Sequence, residues 1–428
     1  MALNLSSLPP SADPLPERPS PLRWAVVFLA CAMAGMVVIL LLWPKRFPTA
    51  TPLFWISVIG VPLVTAAVVV ATRFLIHAGQ ERDAQTWDGA RDADVAKTFR
   101  RESRPIMVLA FGHRFSMDDK ENTAATVANG ELLLKAQQTP SKQAVTARWL
   151  HAIPLESGEK PAEYDAKRQL ATLDDLLAGL LESVEKQIRS LPAGLPLLVK
   201  LHVSAPAVQA TVEERFRFAL KPYGLRDVSF ANDPVASDLM SLEKWLDMPA
   251  GKERDHATLL IVVELHDLVS RLPASGSAEA AVAMLMVPED VAQRYRTTSV
   301  AQLHRPREGT VATLLDTAKL ALQWGQSGAD AVRHLWHSGF DKTAQQVLLT
   351  TVKNIGITLT AQQPVSGEHD LDRSVGNTGI SADWLALACA CEYAESFGGP
   401  QMVAIHRGRH VALSIVRATD RPSSHTSL

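Results

Sequence analysis

The sequence predicts an α/β protein whose globular body follows a pair of membrane-spanning helices. Two long apolar runs lie near the N-terminus, and over the rest of the 428 residues short apolar segments alternate with amphipathic helical ones. That alternation is typical of layered α/β folds. Apolar residues make up 47% of the chain and charged residues 21%, a balance that supplies a sizeable buried core.

The first membrane span is predicted at 24–43, behind a Pro- and Ser-rich tail, 1–23, that we expect to be disordered. The span carries no charge and would form a helix about 30 Å long, which matches the hydrocarbon core of a bilayer. Trp24 and Trp43 stand at its ends, where amphipathic rings favour the membrane interface. A cleaved signal peptide is the alternative, but its apolar core is usually only about 7–15 residues long.

A second apolar run, 52–76, completes a predicted transmembrane hairpin over 24–76; the alternative is a hairpin buried in a soluble core. Basic residues near the ends of spans favour the cytoplasmic side. Two lie in the connecting loop and four lie outside it: Lys45 and Arg46 against Arg18, Arg23, Arg73 and Arg82. We therefore expect the body on the cytoplasmic side of a bacterial inner membrane, and the three cysteines suit that reducing compartment.

The remaining chain is predicted to form a charged linker, 77–104, a first α/β half, 105–299, a second α/β half, 300–418, and a polar tail, 419–428. Short apolar or β-branched runs predict the strands: 105–115, 195–205, 257–267, 279–287 and a hairpin over 401–418 that turns near Gly408. Apolar residues spaced by three or four predict the helices: 168–191, 208–224, 311–324, 328–338 and one that follows Ser381.

Three pairs of polar side chains are candidates for metal or acid–base chemistry: His334 with His337, His406 with His410, and Glu264 with Asp267. The first pair lies on the predicted helix 328–338, the second flanks the hairpin turn, and the carboxylates close a buried strand. A structural zinc site needs four ligands, and two more are not visible near either histidine pair. We expect packed or surface histidines, and two carboxylates alone do not define a catalytic site.

The segment 374–399, "SVGNTGISADWLALACACEYAESFGG", sets a glycine-rich turn before an apolar helix. Gly376 and Gly379 would permit a positive φ or a close backbone approach. Ser381 would cap the helix and Gly398 would end it. The start of this helix could bind an anion. We favour a structural turn into a core helix, because every helix needs caps.

Two cysteines on this helix, Cys389 and Cys391, are nucleophile candidates, but apolar neighbours should bury them, raise their pKa and leave them unreactive. The net charge of −2, without a basic stripe, opposes nucleic-acid binding. GxSxG, P-loop, HExxH and GxGxxG motifs do not occur. The residues therefore predict no catalytic, cofactor-binding or metal-binding position.

The segment 374–399 resembles the late "G-H-T-G…A" segment of condensing enzymes with the thiolase-like fold, and the hairpin over 401–418 and the strand 279–287 fit that layout. The resemblance places Asn377 where such enzymes carry a catalytic histidine. A strand-to-helix cysteine elbow does not appear in the first half. The resemblance thus implies a degenerate thiolase-like body that lacks the usual acylation and decarboxylation chemistry.

The segments 303–309, "LHRPREG", and 370–399 are similar to the type VI secretion lipase adaptor family, in which an "HRP" segment precedes "D-x-G-R-x-x-G-x-T-G" and an alanine-rich helix. Six positions fit the second motif: Leu371, Asp372, Arg373, Gly376, Thr378 and Gly379. The resemblance spans about 100–418. It implies a non-enzymatic adaptor that recruits a lipase effector to the secretion spike. A membrane-bound acyl-processing enzyme that uses Cys389 or Cys391 is the alternative, and a membrane-bound immunity or regulatory protein is a third hypothesis.

Overall fold

The computed structural model of the chain describes residues 18–205, 208, 211–221, 228–231, 237–361 and 366–419. Most of the predicted N-terminal tail, nearly all of the polar tail and the predicted helix end at Gly224 lie outside these residues. The chain divides into two units, Met1–Arg101 and Glu102–Leu428.

The first unit is helical throughout most of its described part. Its helical segments are α1 (Pro21–Leu42), α2 (Pro52–Trp55), a π-helical turn (Ile56–Gly60) and α3 (Val61–Glu102), and the last three are continuous. The π-helical turn ends just before Pro62, which has no N–H to continue the regular helical ladder. The two resulting helices are long and apolar enough to cross a membrane. The predicted charged linker, 77–104, continues the second of them without a break and is helical as far as Glu102.

The second unit contains one large mixed sheet and a small two-stranded one. Its strands are β1 (Ile106–Arg114), β2 (Ala136–Gln138), β3 (Ala144–Thr146), β4 (Leu197–Ser204), β5 (Ser229–Phe230), β6 (Ala257–Glu264), β7 (Ala280–Pro288), β8 (Ala301–Leu303), β9 (Arg307–Gly309), β10 (His334–Ser338), β11 (Glu368–Asp370), β12 (Gln401–Arg407) and β13 (His410–Ala418). Its helices are α4 (Ala124–Ala128), α5 (Pro161–Ser190), α6 (Val212–Leu220), α7 (Ser241–Asp247), α8 (Glu289–Tyr295), α9 (Leu314–Trp324), α10 (Lys342–Asn354), α11 (Leu371–Ser374) and α12 (Ala382–Phe397).

The large sheet repeats one strand order in two successive parts of the chain. The first part has the order β5-β4-β6-β7-β1 and the second has the order β11-β10-β12-β13-β8. In each part three neighbouring strands pair in parallel, and the next two pairings are antiparallel. The two parts meet where β1 pairs with β8, through Ile106–Val108 and Ala301–Leu303. The body is therefore an internal repeat of one α/β unit.

The apolar side chains form three cores that stack the elements into five layers. α5 and α6 cover the outer face of the first sheet part, and α9 and α10 cover the outer face of the second. α12 lies against the inner faces of both parts, and apolar residues of α7 join the same central core. Alternation along β7 shows the arrangement: Val282 and Met284 point to the central layer, and Ala283 and Leu285 point to the outer one. Strands buried on both faces need the continuous apolar sequence seen in β6 and β7.

The predicted helix over 328–338 is wrong. Ala329–Ala331 form a short 3-10 turn, and His334–Ser338 form β10. β10 lies between β11 and β12 and pairs in parallel with both, so ladder hydrogen bonds on two sides decide its conformation. Five residues are too few for periodicity to separate a buried strand from a helix.

Candidate functional site

A polar cleft of about 400 Å³ opens where parallel strands of both sheet parts end. Ser204 and Glu264 end β4 and β6, and Ser338 ends β10. The glycine-rich turn before α12 and the β12–β13 hairpin supply further lining, including Asn377 and His406. Ligands in α/β folds commonly bind at such strand ends, so this strand-end cleft is the candidate site.

Glu264 lies at the centre of the cleft's hydrogen bonding. Its carboxyl accepts hydrogen bonds from the Ser204 hydroxyl (2.9 Å) and from the backbone N–H of Ile380 (3.1 Å). Burial raises the pKa of Glu264, against the opposing effect of these hydrogen bonds. The anion-binding turn considered from the sequence is therefore occupied by the chain's own carboxyl group. Asp267, its predicted companion, bonds elsewhere, to the Gln169 side-chain amide at 2.9 Å.

The two glycines of the turn have the backbone geometry predicted from the sequence. Gly376 has a φ of 113° and Gly379 a φ of 55°, both in the region that favours glycine. A Cβ on Gly379 would lie 2.5 Å from an oxygen of Glu264, and one on Gly376 would lie 2.7 Å from Cβ of Ala278. Glycine is therefore required at both positions for two reasons: the positive φ angle and the close approach to the first sheet part.

Asn377 is exposed at the cleft, and its side chain serves the turn itself. Its Oδ1 accepts a hydrogen bond from the backbone N–H of Gly379 at 3.0 Å. Its backbone pairs with the segment before β7, because its N–H donates to Gly276 O and its carbonyl accepts from Ala278 N–H, each at 2.8 Å. The position that the resemblance gives to a catalytic histidine therefore holds an amide in a structural contact.

Replacing Asn377 with alanine should lower the free energy of unfolding by only about 0.5–1.5 kcal/mol, because it removes one hydrogen bond at an exposed position. Urea denaturation of the wild-type and variant chains would measure the difference. A loss above about 3 kcal/mol would show that the side chain does more than close the turn.

The start of α12 differs from the prediction. Ser381 precedes the helix, but its side chain does not cap it, and its hydroxyl instead donates to the carbonyl of Thr378 at 2.8 Å. A tight 3-10 turn over Gly379–Ser381 leads directly into the helix and makes the Ser381 cap unnecessary. The predicted helix end at Gly398 is confirmed, with a φ of 77°.

Both cysteines of α12 lie in the central core and not in the cleft. Cys389 and Cys391 are fully buried. Burial raises the pKa of both thiols, and the nearby carboxyl groups of Glu392 and Glu395 raise the pKa of Cys389 and Cys391 respectively. A thiol needs its thiolate form to attack, so these two positions oppose nucleophilic chemistry.

The histidine pair of β10 is separated by the strand geometry. His334 Nδ1 lies 3.0 Å from His369 Nε2, whereas His337 Nε2 lies 3.2 Å from an oxygen of Glu368. Residues three apart on a strand point to opposite faces, so His334 and His337 do not converge. Among the described residues no group of three or more His, Cys, Asp or Glu side chains is arranged to hold a metal ion.

The hairpin histidines also differ from each other. His406 lines the cleft, and its Nδ1 donates to the carbonyl of Gly339 at 3.0 Å, which leaves Nε2 as the acceptor nitrogen of the neutral ring. His410 is exposed, 3.5 Å from Glu308. Sequence reasoning treated both alike; what sets His406 apart is its position at the end of β12, next to β10.

The motif residues that carry the adaptor resemblance hold the body together. The buried Arg305 guanidinium donates to the Glu102 carboxylate at 2.9 Å and to that of Asp247 at 2.6 Å. Asp372 accepts from the Ser338 hydroxyl at 2.7 Å and from the Gly339 N–H at 2.6 Å. The Arg305 contacts fix α7, and the Asp372 contacts fix the end of β10 beside the cleft, so the motif residues have structural roles in the body.

No protein-family model and no curated protein matches the sequence, but solved structures resemble the body. The ishigamide ketosynthase/chain length factor is 14% identical over 73% of this chain and 99% of its own, with a TM-score of 0.50. The ketosynthase from module 6 of the bacillaene synthase from Bacillus subtilis 168 is 10% identical over 74% of this chain and 71% of its own, with a TM-score of 0.51. Sequence identities this low are evidence of a shared fold only. The body of this chain therefore has the thiolase-like α/β fold of the ketosynthases.

Proposed function

We propose that this chain is a membrane-anchored, non-enzymatic adaptor that recruits a lipase effector to a type VI secretion system. The observation that supports the non-enzymatic part is the chemistry of the strand-end cleft. Asn377 supplies an amide, which neither takes nor gives a proton near neutral pH, and Glu264 is bonded to the chain's own turn. The cleft has the form of a binding site, while Asn377 and Glu264 at its centre serve the fold.

The membrane and partner parts of the proposal have separate support. Two helices long and apolar enough to span a bilayer precede the body. The segments 303–309 and 370–399 resemble the lipase adaptor family, and in the structure their Arg305 and Asp372 stabilise the body through hydrogen bonds and ion pairs.

Copurification tests the proposal. The full chain, tagged and solubilised in mild detergent, would be coexpressed with each lipase encoded beside type VI secretion genes in the same genome. We expect one lipase to copurify, and deletion of the chain to abolish its export while other effectors are still secreted. Asn377→Ala serves as the matched control and should bind the lipase as the wild type does. Normal lipase export from the deletion strain would refute the adaptor role.

The alternative function, an acyl-processing enzyme, requires a reactive thiol at Cys389 or Cys391. In a Cys31→Ser background, we expect Cys389 and Cys391 to react with a maleimide about a hundredfold more slowly in the native chain than after denaturation, because both are fully buried. Mass spectrometry of tryptic peptides over time would measure the rates. Rapid labelling of one of them in the folded protein would favour the acyl-processing enzyme.

The orientation of the body can be tested with reporters. We propose that it faces the cytoplasm of a bacterial inner membrane, because four basic residues lie near the outer ends of the apolar runs and two lie in the loop. A green fluorescent protein fused after Leu428 should fluoresce, and alkaline phosphatase fused there should be inactive. The reverse pattern would place the body in the periplasm.

A further inference from the structure

We propose that a second cavity, beneath α7, binds an uncharged aromatic molecule that carries a hydroxyl group. This α7 cavity has a volume of about 450 Å³ and lies between α7 and the inner face of the first sheet part. The proposal concerns a different place from the strand-end cleft and does not depend on the adaptor function.

The floor of the α7 cavity consists of neighbouring positions on three strands. Leu198 of β4, Thr258 of β6 and Met286 of β7 are cross-strand partners and line it together. Thr258 lies near the start of β6, and Glu264 ends that strand, so about 20 Å of extended chain separates the cavity floor from the strand-end cleft. The two sites occupy opposite ends of the same sheet.

One polar group on this floor has no partner among the described residues. Thr258 is 3% exposed, and its Oγ1 forms no hydrogen bond with any residue that the structure describes. Leaving a buried hydroxyl unpaired is unfavourable, so a molecule in the cavity gains by bonding to it. The two other hydroxyls that line the wall already have partners: Ser237 pairs with His202 Nε2 at 2.9 Å, and Ser241 donates to the carbonyl of Asp238 at 2.6 Å. The unpaired Thr258 hydroxyl therefore specifies where a ligand's single polar group belongs.

The walls favour an aromatic body. Trp245 of α7 stacks on His256 with a centroid distance of 5.4 Å, and the indole of Trp384 is held in place because its Nε1 donates to Ser237 O at 2.8 Å. Two thioethers, of Met248 and Met286, line the same space. Ring stacking and sulfur–ring contacts are both favourable for an aromatic guest.

The charges and the volume define the ligand further. Two cationic and two anionic side chains line the cavity, and this balance favours an uncharged guest: Lys200, Lys244, Asp238 and Glu253. A volume of about 450 Å³ is room for a substituted ring. Cavities of about 300–1,000 Å³ are typical of small-molecule sites.

Three small probes of similar size separate the parts of this proposal. 2-Phenylethanol has the ring and the hydroxyl, ethylbenzene lacks the hydroxyl, and phenylacetate carries a charge. The full chain in lipid nanodiscs, labelled with ¹³C at its ten methionine methyl groups, would be titrated with each. The Met286 signal, assigned with Met286→Leu, reports on the cavity. We expect 2-phenylethanol to shift it at concentrations at least tenfold lower than phenylacetate does.

Variants at Thr258 test the hydrogen bond. Thr258→Val keeps the side-chain shape and should weaken 2-phenylethanol binding about three- to tenfold, the effect of one lost hydrogen bond, while ethylbenzene binding is unchanged. Thr258→Ser keeps the hydroxyl and should retain the preference for 2-phenylethanol. A Met286 signal that no probe moves, phenylacetate binding equal to that of the alcohol, or an equal loss of both uncharged probes in Thr258→Val would each overturn the proposal.

Discussion

Replacing Glu279 with alanine should lower the free energy of unfolding of the body by about 3–5 kcal/mol, because it leaves the buried Arg168 guanidinium without its counter-charge. Both side chains are fully buried, and their closest N–O distance is 2.7 Å. Glu279 also accepts hydrogen bonds from the backbone N–H groups of Leu150 (2.9 Å) and His266 (2.8 Å). The substitution therefore exposes one charge and two amides to an apolar surrounding at once.

Urea denaturation at constant slope would measure this loss as a shift of the midpoint. Glu213→Ala is the matched control, because Glu213 also pairs with an arginine, Arg217, at 2.8 Å, but both side chains are more than half exposed. An exposed pair contributes about 0–1 kcal/mol, so the control should unfold almost as the wild type does. Equal effects of the two substitutions would show that the buried pair is not a major source of stability.

The second large effect is expected at Gly379. Gly379→Ala should lower the free energy of unfolding by about 2–4 kcal/mol, because it adds backbone strain at a φ of 55° and forces the Glu264 carboxyl away from its hydrogen bonds. A new Cβ would stand 2.5 Å from a Glu264 oxygen, a separation that requires movement. The substitution is therefore expected to disturb both the turn and Glu264 at the end of β6.

Gly408→Ala is the control that adds backbone strain at a positive φ without adding a close contact. Gly408 has a φ of 61°, and a Cβ there would meet nothing within 4 Å. Its substitution should cost about 1 kcal/mol, the backbone effect alone. The difference between the two glycine variants, measured by the same denaturation experiment, is the contribution of the Glu264 contact. If both variants lost the same stability, the close approach at Gly379 would be unimportant.

Sequence patterns correctly predicted those elements whose structure is determined by residues close together in the chain. Uninterrupted apolar runs gave β6 and β7, and the spacing of leucines gave most of α5, of which Leu173, Leu177 and Leu180 are fully buried as predicted. The positive φ angles of the turn followed from its glycines. In each case the residues that determine the structure lie within one short segment.

The candidate site depends on partners that are distant in sequence. Ile380 donates to Glu264 across 116 residues, and no local periodicity connects them. β10 was misassigned for the same reason, since its neighbours β11 and β12 are contributed by later parts of the chain. A sequence signal for the cleft did exist, because β4 and β10 both end in a serine preceded closely by histidine, but it is too short to distinguish from chance.

The pairing of β1 has a consequence for how this chain folds during synthesis. β1 begins at Ile106 and pairs with β7, which ends at Pro288. At about 5–20 residues per second, the ribosome needs roughly 10–35 s to supply that partner after β1 has been made. Throughout this interval the apolar strand β1 remains unpaired. Strand pairs between distant parts of a chain form slowly, and the unpaired strands favour aggregation. We therefore expect the nascent chain to depend on a chaperone until β7 has left the ribosome.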